Sequence, residues 1–487
     1  MQTEAQLIKQ AQKYVDEVWE ELVDDIDFLV QVESVEDKSH AEAGAPFGPA
    51  PREALDRALS IAERLGLEPH NCEGYVGYAD LAGERETYLS TIAHSDIVPL
   101  GLDWTVDPLH VTRKEGYLLG RGVIDDKGPL VLSLYAAHFF VRKVRESGRP
   151  LPYTLRCIIG TNEETGMEDV DYYLEHFPQP AFCFTPDAVF PLICGEKGRV
   201  FAEFCSADLS GAALDGARIV SLEAGTAPNA IPGHAQAVVR AKASELPAGE
   251  GIRIEDAGVD EGGQALATLV AKGRGGHASM PEDTVNAIGL LVRYLVDNEL
   301  CNEDERRFLS FEELLFADTA GQALGIAATD DIFEPLTCIG GTIHTKEAGS
   351  GHHFVQTMDI RYPKSTDGEK ILGVLREQGE RFGCTMSDSD DSVPFFISPD
   401  SAEIKTLLRT YNELSGRDGK AFTIGGGTYA RHFERAVAFG PDDPSVPAPS
   451  WVGIEHGPDE GVSEESLRRA LVIYIVALSR LMQLDYE

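Results

Sequence analysis

The stretch "STIAHSDIVPLGLDW", residues 90–104, carries His94 and Asp96 out of an apolar run that reads as a buried strand. The same pattern recurs: Asp125 and Asp126 follow "YLLGRGVI", Glu163 and Glu164 follow "LRCIIGTN", Asp187 follows "FCFTP", and His456 follows "SWVGIE". Alone, a strand-end Asp is a turn former or helix cap and a lone His a satisfied polar group. Five strand-like runs that all end in metal-type ligands mean more, because open parallel sheets bind ligands in the crevice outside the carboxyl ends of their strands. Imidazole and carboxylate donors without thiolate suit zinc, cobalt or manganese, and one carboxylate can bridge two ions. Residues i and i+2 of an extended strand project to the same side, so Asp96 is expected to accept a hydrogen bond from the second ring nitrogen of His94 and fix its tautomer. Of Glu163 and Glu164, one can ligate while the other removes a proton from a water whose pKa a metal lowers toward about 7. That chemistry hydrolyses amides.

The elements that must position these groups alternate up to about residue 195. Helical patterns at 5–32, 50–66, 128–146 and 167–177 are interleaved with β-rich runs at 87–93, 153–160, 181–185 and 191–194. Such alternation predicts an α/β fold with a mostly parallel sheet and helices on its faces. From 196 to 390 the texture changes: "GAALDGAR" and "DEGGQA" separate runs such as "AQAVVRAKA" and "TMDIRYP", and 286–316 looks helical. After the polar run "SDSDDS" the α/β texture returns, with a helix at 401–415, a run at 450–456 and a last helix from Ser463. The expected organisation is a catalytic α/β domain built from 1–195 and 391–487, interrupted by an α+β domain over 196–390.

Composition narrows the function classes. A chain of 487 residues exceeds what one core usually supports. Its formal charge of −39 repels phosphate backbones and anionic leaflets, so nucleic acid and membrane are not expected partners. The N-terminus lacks a basic region followed by an uninterrupted apolar one, and "ALVIYIVAL" at 470–478 is far short of the roughly 20 residues that span a bilayer. A cytoplasmic location is the expectation. Eight cysteines without a C-x-x-C, several within apolar runs, read as reduced core thiols rather than zinc ligands or disulfides.

The motifs "AHSDIVP", "GRGVIDDKGP", "GTNEETG", "FTPD" and "GIEHGPDE" occur in the order seen in the zinc aminopeptidase-like clan that contains carboxypeptidase G, the aminoacylases and the succinyl-diaminopimelate desuccinylases. "GTAPNAIPGHA", "AKGRGGHASMPEDTVNAI", "DIRYP" and "GGGTYARHF" extend the likeness to one branch, and nearly the whole chain resembles the dipeptidase V, or PepV-like, dipeptidases. The resemblance implies a zinc-dependent dipeptidase with an inserted lid domain. It implies two Zn2+ per chain, with Co2+ or Mn2+ as substitutes: one held by His94, Asp125 and Asp187, the other by Asp125, Glu164 and His456. The bridging role falls to Asp125 rather than Asp126 because the clan pattern is D-x-K-G, and the peptide between the two is expected to be cis. Glu163 would be the general base and Asp96 the partner of the first histidine.

His277 matches the lid histidine that polarises the scissile carbonyl, and Asn229 and Arg361 match other substrate-contacting positions. The run Gly425-Gly426-Gly427-Thr428 lacks the features of a phosphate loop. In the branch it holds the free carboxylate of the peptide, with Arg431 nearby. The expected substrate is a small unblocked dipeptide, and the long lid, supplying its own histidine, points to a functional monomer. An N-acyl amino acid deacylase or amidohydrolase of the same family is the alternative that the dipeptidase-branch motifs disfavour. An inactive metal-binding scaffold is disfavoured by the presence of both Glu163 and Glu164.

Overall fold

A computed structural model describes residues 4–209, 216, 218–348 and 351–486. The chain divides into two compact units, one formed by Met1–Gly195, Phe396–Phe422 and Gly427–Glu487, the other by Glu196–Phe395 and Thr423–Gly426. The Gly- and Ala-rich stretch "GAALDGAR" lies largely outside the described residues.

The first unit is built on a nine-stranded sheet. Its centre is the strand Tyr88–His94, whose seven residues are all buried, in keeping with a run sandwiched between helices on both faces. It runs parallel to Thr154–Gly160 on one side and Phe182–Thr185 on the other, and the latter runs parallel to Ala436–Ala438. The sheet is parallel at this centre and antiparallel at its margins, where Val76–Leu81 joins Thr154–Gly160, Glu68–Cys72 joins Val76–Leu81, and Ile193–Glu196 meets Ala436–Ala438. Parallel pairing in register, with His94 opposite Gly160, brings the carboxyl ends of three strands to one edge of the sheet. His94, the turn holding Glu163 and Glu164, and Asp187 leave from that edge. Helices Glu4–Val30, Pro49–Leu65, Lys127–Ser147 and Glu464–Leu481 pack into the same core. The last is capped by Ser463, whose side chain accepts the N–H of Ser466. Among the described residues no helix is long and apolar enough to cross a membrane.

The second unit carries an eight-stranded sheet in the order Ile252–Val259, Ala265–Lys272, His234–Arg240, Ile219–Ala224, Thr337–Ala348, Gly351–Tyr362, Gly198–Cys205, Thr385–Ser392, antiparallel throughout. Burial alternates residue by residue along Gly198–Cys205, the signature of a strand with one face on a core. That core includes Val200, Phe204, Leu269, Met358 and Ile360, together with Leu291, Leu295, Phe308 and Phe311 of the helices Ala287–Asp297 and Glu303–Leu315.

The expected boundary at 390/391 falls inside the strand Thr385–Ser392, which pairs with Gly198–Cys205 and so extends the second unit to Phe395. The acidic run "SDSDDS" is thus part of an edge strand of that sheet, its carboxylates largely exposed. Repelling charge of this kind is a common device on an open sheet edge.

Candidate metal centre

His94 closes its strand with a side chain that is fully buried. Its Nε2 lies 3.0 Å from Asp125 Oδ1 and 3.7 Å from Asp187 Oδ2. His456 Nε2 lies 2.9 Å from Asp125 Oδ2 and 3.2 Å from Glu164 Oε2. Asp125 therefore stands between two imidazoles, one at each carboxylate oxygen. Possible ligand atoms of His94, Glu163 and Asp187 fall within 4.8 Å of one another, as do those of His94, Asp125 and Glu164. All six side chains belong to the first unit.

Two of the five presumed strand ends are something else. Asp125 sits on a loop that turns through Gly120 and Gly122, both at positive φ, before the helix Lys127–Ser147. The preceding strand Tyr117–Leu119 belongs to a small antiparallel sheet with Thr112–Lys114 and Gly461–Ser463. The run at 450–456 forms no strand; Pro458 follows closely, and His456 and Asp459 have φ of 62° and 53°, values a β-strand cannot contain. The peptide between Asp125 and Asp126 is cis, and Asp126 Oδ2 accepts the N–H of His94 at 2.9 Å.

The hydrogen bond expected between His94 and the Asp96 carboxylate is displaced. His94 Nδ1 faces the backbone carbonyl of Asp96 at 3.0 Å, with the carboxylate oxygen Oδ1 at 3.4 Å. The ring is still fixed in the anticipated sense: Nδ1–H donates to Asp96, so Nε2 faces the cluster. Asp96 Oδ2 instead accepts the N–H of Glu164.

Four carboxylates and two imidazoles in one cluster, buried at His94 and half-exposed at His456, perturb one another strongly. Burial works against the charged form of His94, but Asp125 and Asp96 overcome it and hold the ring well above its ordinary pKa. His456 is pushed up to about 11 by its hydrogen bonds to Asp125 and Glu164. Burial tends to raise Asp125, yet the two imidazoles hold it well below the usual carboxylate range. Asp187 is pushed up to about 7 by burial and by the charge of Asp125, and Glu163 far up by burial and by the charge of Asp187. Glu164 is raised by burial, then by Asp125. Glu164 Oε1 and Asp96 Oδ1 are buried with no hydrogen-bond partner among the described residues. Excess negative charge, an orphaned carboxylate oxygen and a donor set of nitrogen and oxygen alone are what divalent cations of the zinc or manganese type would satisfy, so these residues fit such a group.

Asn229, His277, Arg361 and Gly425 form a second cluster. On the second unit, the strand pair Ala230–Ile231 and Gly276–His277 sets Ala230 opposite His277, and the N–H of Ala278 donates to Asn229 O at 2.9 Å. His277 Nδ1 and Ser279 Oγ are 2.7 Å apart. Arg361 is buried, with Nε and Nη2 donating to Asp359 and Nη1 to Gly425 O at 2.9 Å. A Cβ at Gly425 would stand 2.5 Å from that of Ser279, which requires glycine there. Asn229, His277, Arg361, Gly425 and the unanticipated Ser279 are thus contiguous. The glycine run is divided: Gly425 and Gly426 cluster with the second unit, whereas Gly427, Thr428 and Arg431 belong to the first. There Thr428 caps a short helical turn, Tyr429–His432, by accepting the N–H of Ala430.

Several residues around the cluster carried no recognisable signal. Tyr429 places its ring edge-on to His94, with centroids 6.4 Å apart, and its hydroxyl donates to Asp169. Asp169 in turn accepts the N–H groups of Thr161 and Asn162, which begin the turn carrying Glu163. Arg121 and Glu460 form a buried ion pair. Both lie inside the motifs "GRGVIDDKGP" and "GIEHGPDE".

Residues 91–480 match the sequence profile of Peptidase family M20/M25/M40. The chain belongs to this family. Membership makes it a metallopeptidase, a hydrolase, and establishes the expected α/β fold with an additional sheet domain. A Beta-Ala-Xaa dipeptidase of Lactobacillus delbrueckii subsp. lactis is 31% identical over 474 residues, covering 94% of this chain and 96% of that protein. Human carnosine dipeptidase 1 is a structural neighbour with a TM-score of 0.57 at 16% identity, over 98% of this chain and 100% of the other. The dipeptidase Dug1p of Saccharomyces cerevisiae aligns with a TM-score of 0.56 at 12% identity, over 98% and 99%. The two structures support the M20 fold, and the bacterial relative supports membership over the full length.

Proposed function

We propose that the chain is a two-cation dipeptidase that hydrolyses the single peptide bond of unblocked dipeptides, with Glu163 as general base. The observation that carries this reading is Asp125, flanked by the Nε2 atoms of His94 and His456 at 3.0 and 2.9 Å, with Asp187 near the first histidine and Glu164 near the second. His94, Asp125 and Asp187 would hold one zinc ion and Asp125, Glu164 and His456 the other. Bound cations supply Lewis acidity to the scissile carbonyl and to the attacking water. Glu163 takes the water proton on a carboxylate oxygen and passes it to the leaving amine nitrogen. Asp96 holds the proton of His94 on Nδ1, leaving the Nε2 lone pair toward the cluster.

Recognition in this reading falls to the other candidate residues. His277 donates to the carbonyl oxygen as negative charge develops there, an interaction of about 3 kcal/mol in sites of this type. Asn229, Arg361, Gly425, Gly426, Gly427 and Thr428 receive the free carboxylate of the peptide, with Arg431 assisting. The full-length likeness to a protein named as a Beta-Ala-Xaa dipeptidase supports the substrate class. The test is an assay of purified protein, stripped of metal and reloaded with zinc, cobalt or manganese, on a dipeptide panel and matching N-acetyl amino acids. Cation-dependent turnover of the dipeptides is expected. A preference for the N-acetyl amino acids would make the protein a deacylase, and full turnover in excess chelator would remove the metal mechanism.

A further inference from the structure

Arg121 and Glu460 are 1% and 0% exposed, and neither contributes an atom to the metal-type cluster. Arg121 Nη1 donates to Glu460 Oε2 at 2.5 Å. The guanidinium also lies over the Trp104 ring, 5.1 Å from its centroid, and the pair's other hydrogen bonds go to backbone. Arg121 Nη2 donates to His456 O at 3.1 Å and to Leu100 O at 3.3 Å. Glu460 Oε1 accepts the N–H groups of Gly122 at 2.9 Å, Ile124 at 3.3 Å and Asp125 at 3.4 Å. The pair therefore ties together three loops: the one that leaves the His94 strand, the one that carries Asp125 and the one that carries His456.

A buried ion pair is weak evidence for stability, because desolvating two charges costs about as much as their attraction returns. Fixing geometry is a better account of this one. His456 holds a φ of 62°, a left-handed conformation that non-glycine residues avoid, and Arg121 grips the carbonyl of that residue. Asp125 and His456 lie on loops with no strand pairing of their own, yet their side chains must meet within about a hydrogen-bond length. We propose that Arg121 and Glu460 are positioning residues for the Asp125–Glu164–His456 half of the site, and that they set the affinity of that half for its cation. The inference rests on the two-cation reading above.

The experiment is equilibrium binding of zinc to metal-stripped protein under a competing chelator, for wild type, Arg121→Lys and the double variant Arg121→Met/Glu460→Met. Lysine keeps the charge but loses the fork that reaches two carbonyls. The double variant leaves no unpaired buried charge. Wild type should bind two ions. Both variants should lose about 10- to 100-fold in affinity for one ion and keep the other within about threefold. Thermal transitions of the metal-free proteins should stay close together, and kcat should fall with little change in KM. Unchanged affinity for both ions overturns the proposal. So does an equal loss at both sites that follows a drop in metal-free stability, since that marks a merely structural pair. If the double variant does not fold, Arg121→Lys decides alone. A wild type that binds no zinc overturns the two-cation reading itself, an outcome distinct from the other two.

Discussion

Asp96 Oδ2 accepts the backbone N–H of Glu164 at 3.1 Å, so one residue serves two ligand-bearing segments: its carbonyl holds the His94 ring and its carboxylate holds the acidic turn. The consequence is testable. Asp96→Ala leaves the carbonyl in place and removes the hold on Glu164, so cation affinity should fall by about 10- to 100-fold, the usual cost of losing a partner behind a ligand. Asp96→Asn keeps an acceptor for the Glu164 N–H and should fall less. Equal losses in the two variants, measured by zinc binding under a chelator, would place the effect in charge rather than in the hydrogen bond.

Glu163 and Glu164 are adjacent, and both approach His94, so proximity alone does not divide base from ligand. His456 does divide them, because it reaches Glu164 at 3.2 Å. Glu163→Gln should lose most turnover, by about a hundredfold or more in kcat, while retaining two bound ions. Glu164→Ala and Asp125→Ala should lose metal as well as turnover. Elemental analysis of the three variants beside their kinetics checks the assignment; near-normal kcat in Glu163→Gln would end it.

The three ligand-bearing segments that leave the parallel strands were legible because two constraints agree there. Apolar β-rich runs must pair in parallel if helices alternate with them, and a carboxyl-end polar residue then has one place to go. His94, Glu163, Glu164 and Asp187 follow from that. Asp125 and His456 stand in motifs whose residue types point to ligands, but only the first three residues of "YLLGRGVI" form a strand and "SWVGIE" forms none; the positive φ values at Gly122 and His456 mark the loops that carry the two ligands. Arg121, Glu460 and Tyr429 were out of reach for another reason. They act on backbone groups or on a distant carboxylate, and such partners leave no periodicity in the sequence. The split of the glycine run between Gly426 and Gly427 likewise depends on tertiary clustering.

Tyr429 and Asp169 give a prediction for stability. The hydroxyl is a side-chain donor to a carboxylate that also receives the N–H groups of Thr161 and Asn162, at 2.6 and 3.0 Å. Tyr429→Phe removes that donor without opening a cavity, and should destabilise the first unit by about 1–3 kcal/mol. Trp19, Trp104 and Trp451 all lie in this unit, so tryptophan fluorescence during urea unfolding reads it directly. No shift in midpoint would mean that Asp169 is satisfied without the hydroxyl.

Oligomeric state enters through His277. If each chain supplies its own histidine, mixing His277→Ala chains with Glu163→Ala chains should recover no dipeptidase activity. Recovery toward a fraction of wild type would show a site completed by a partner chain and would overturn the monomer reading.

Glu312 supplies the pH prediction. It lies in the helix Glu303–Leu315 of the second unit, fully buried, and among the described residues neither carboxyl oxygen has a hydrogen-bond partner. Burial alone raises its pKa well above the ordinary glutamate value of 4.5. The sign follows from which state holds the proton. Below pH 4.5 the group is neutral in both folded and unfolded chains and has no effect on the balance. As pH rises, the unfolded chain releases the proton while the folded one keeps it, so the contribution of Glu312 to stability falls by about 1.4 kcal/mol per pH unit until its folded pKa is reached. Glu312→Gln has no proton to exchange and removes that slope, although its buried amide adds a cost that does not depend on pH. The variant should therefore gain on wild type as pH rises above the ordinary glutamate value, read as the difference in calorimetric unfolding of the second unit. A difference that stays constant over that rise would show that Glu312 ionises in the folded protein as readily as in the unfolded one.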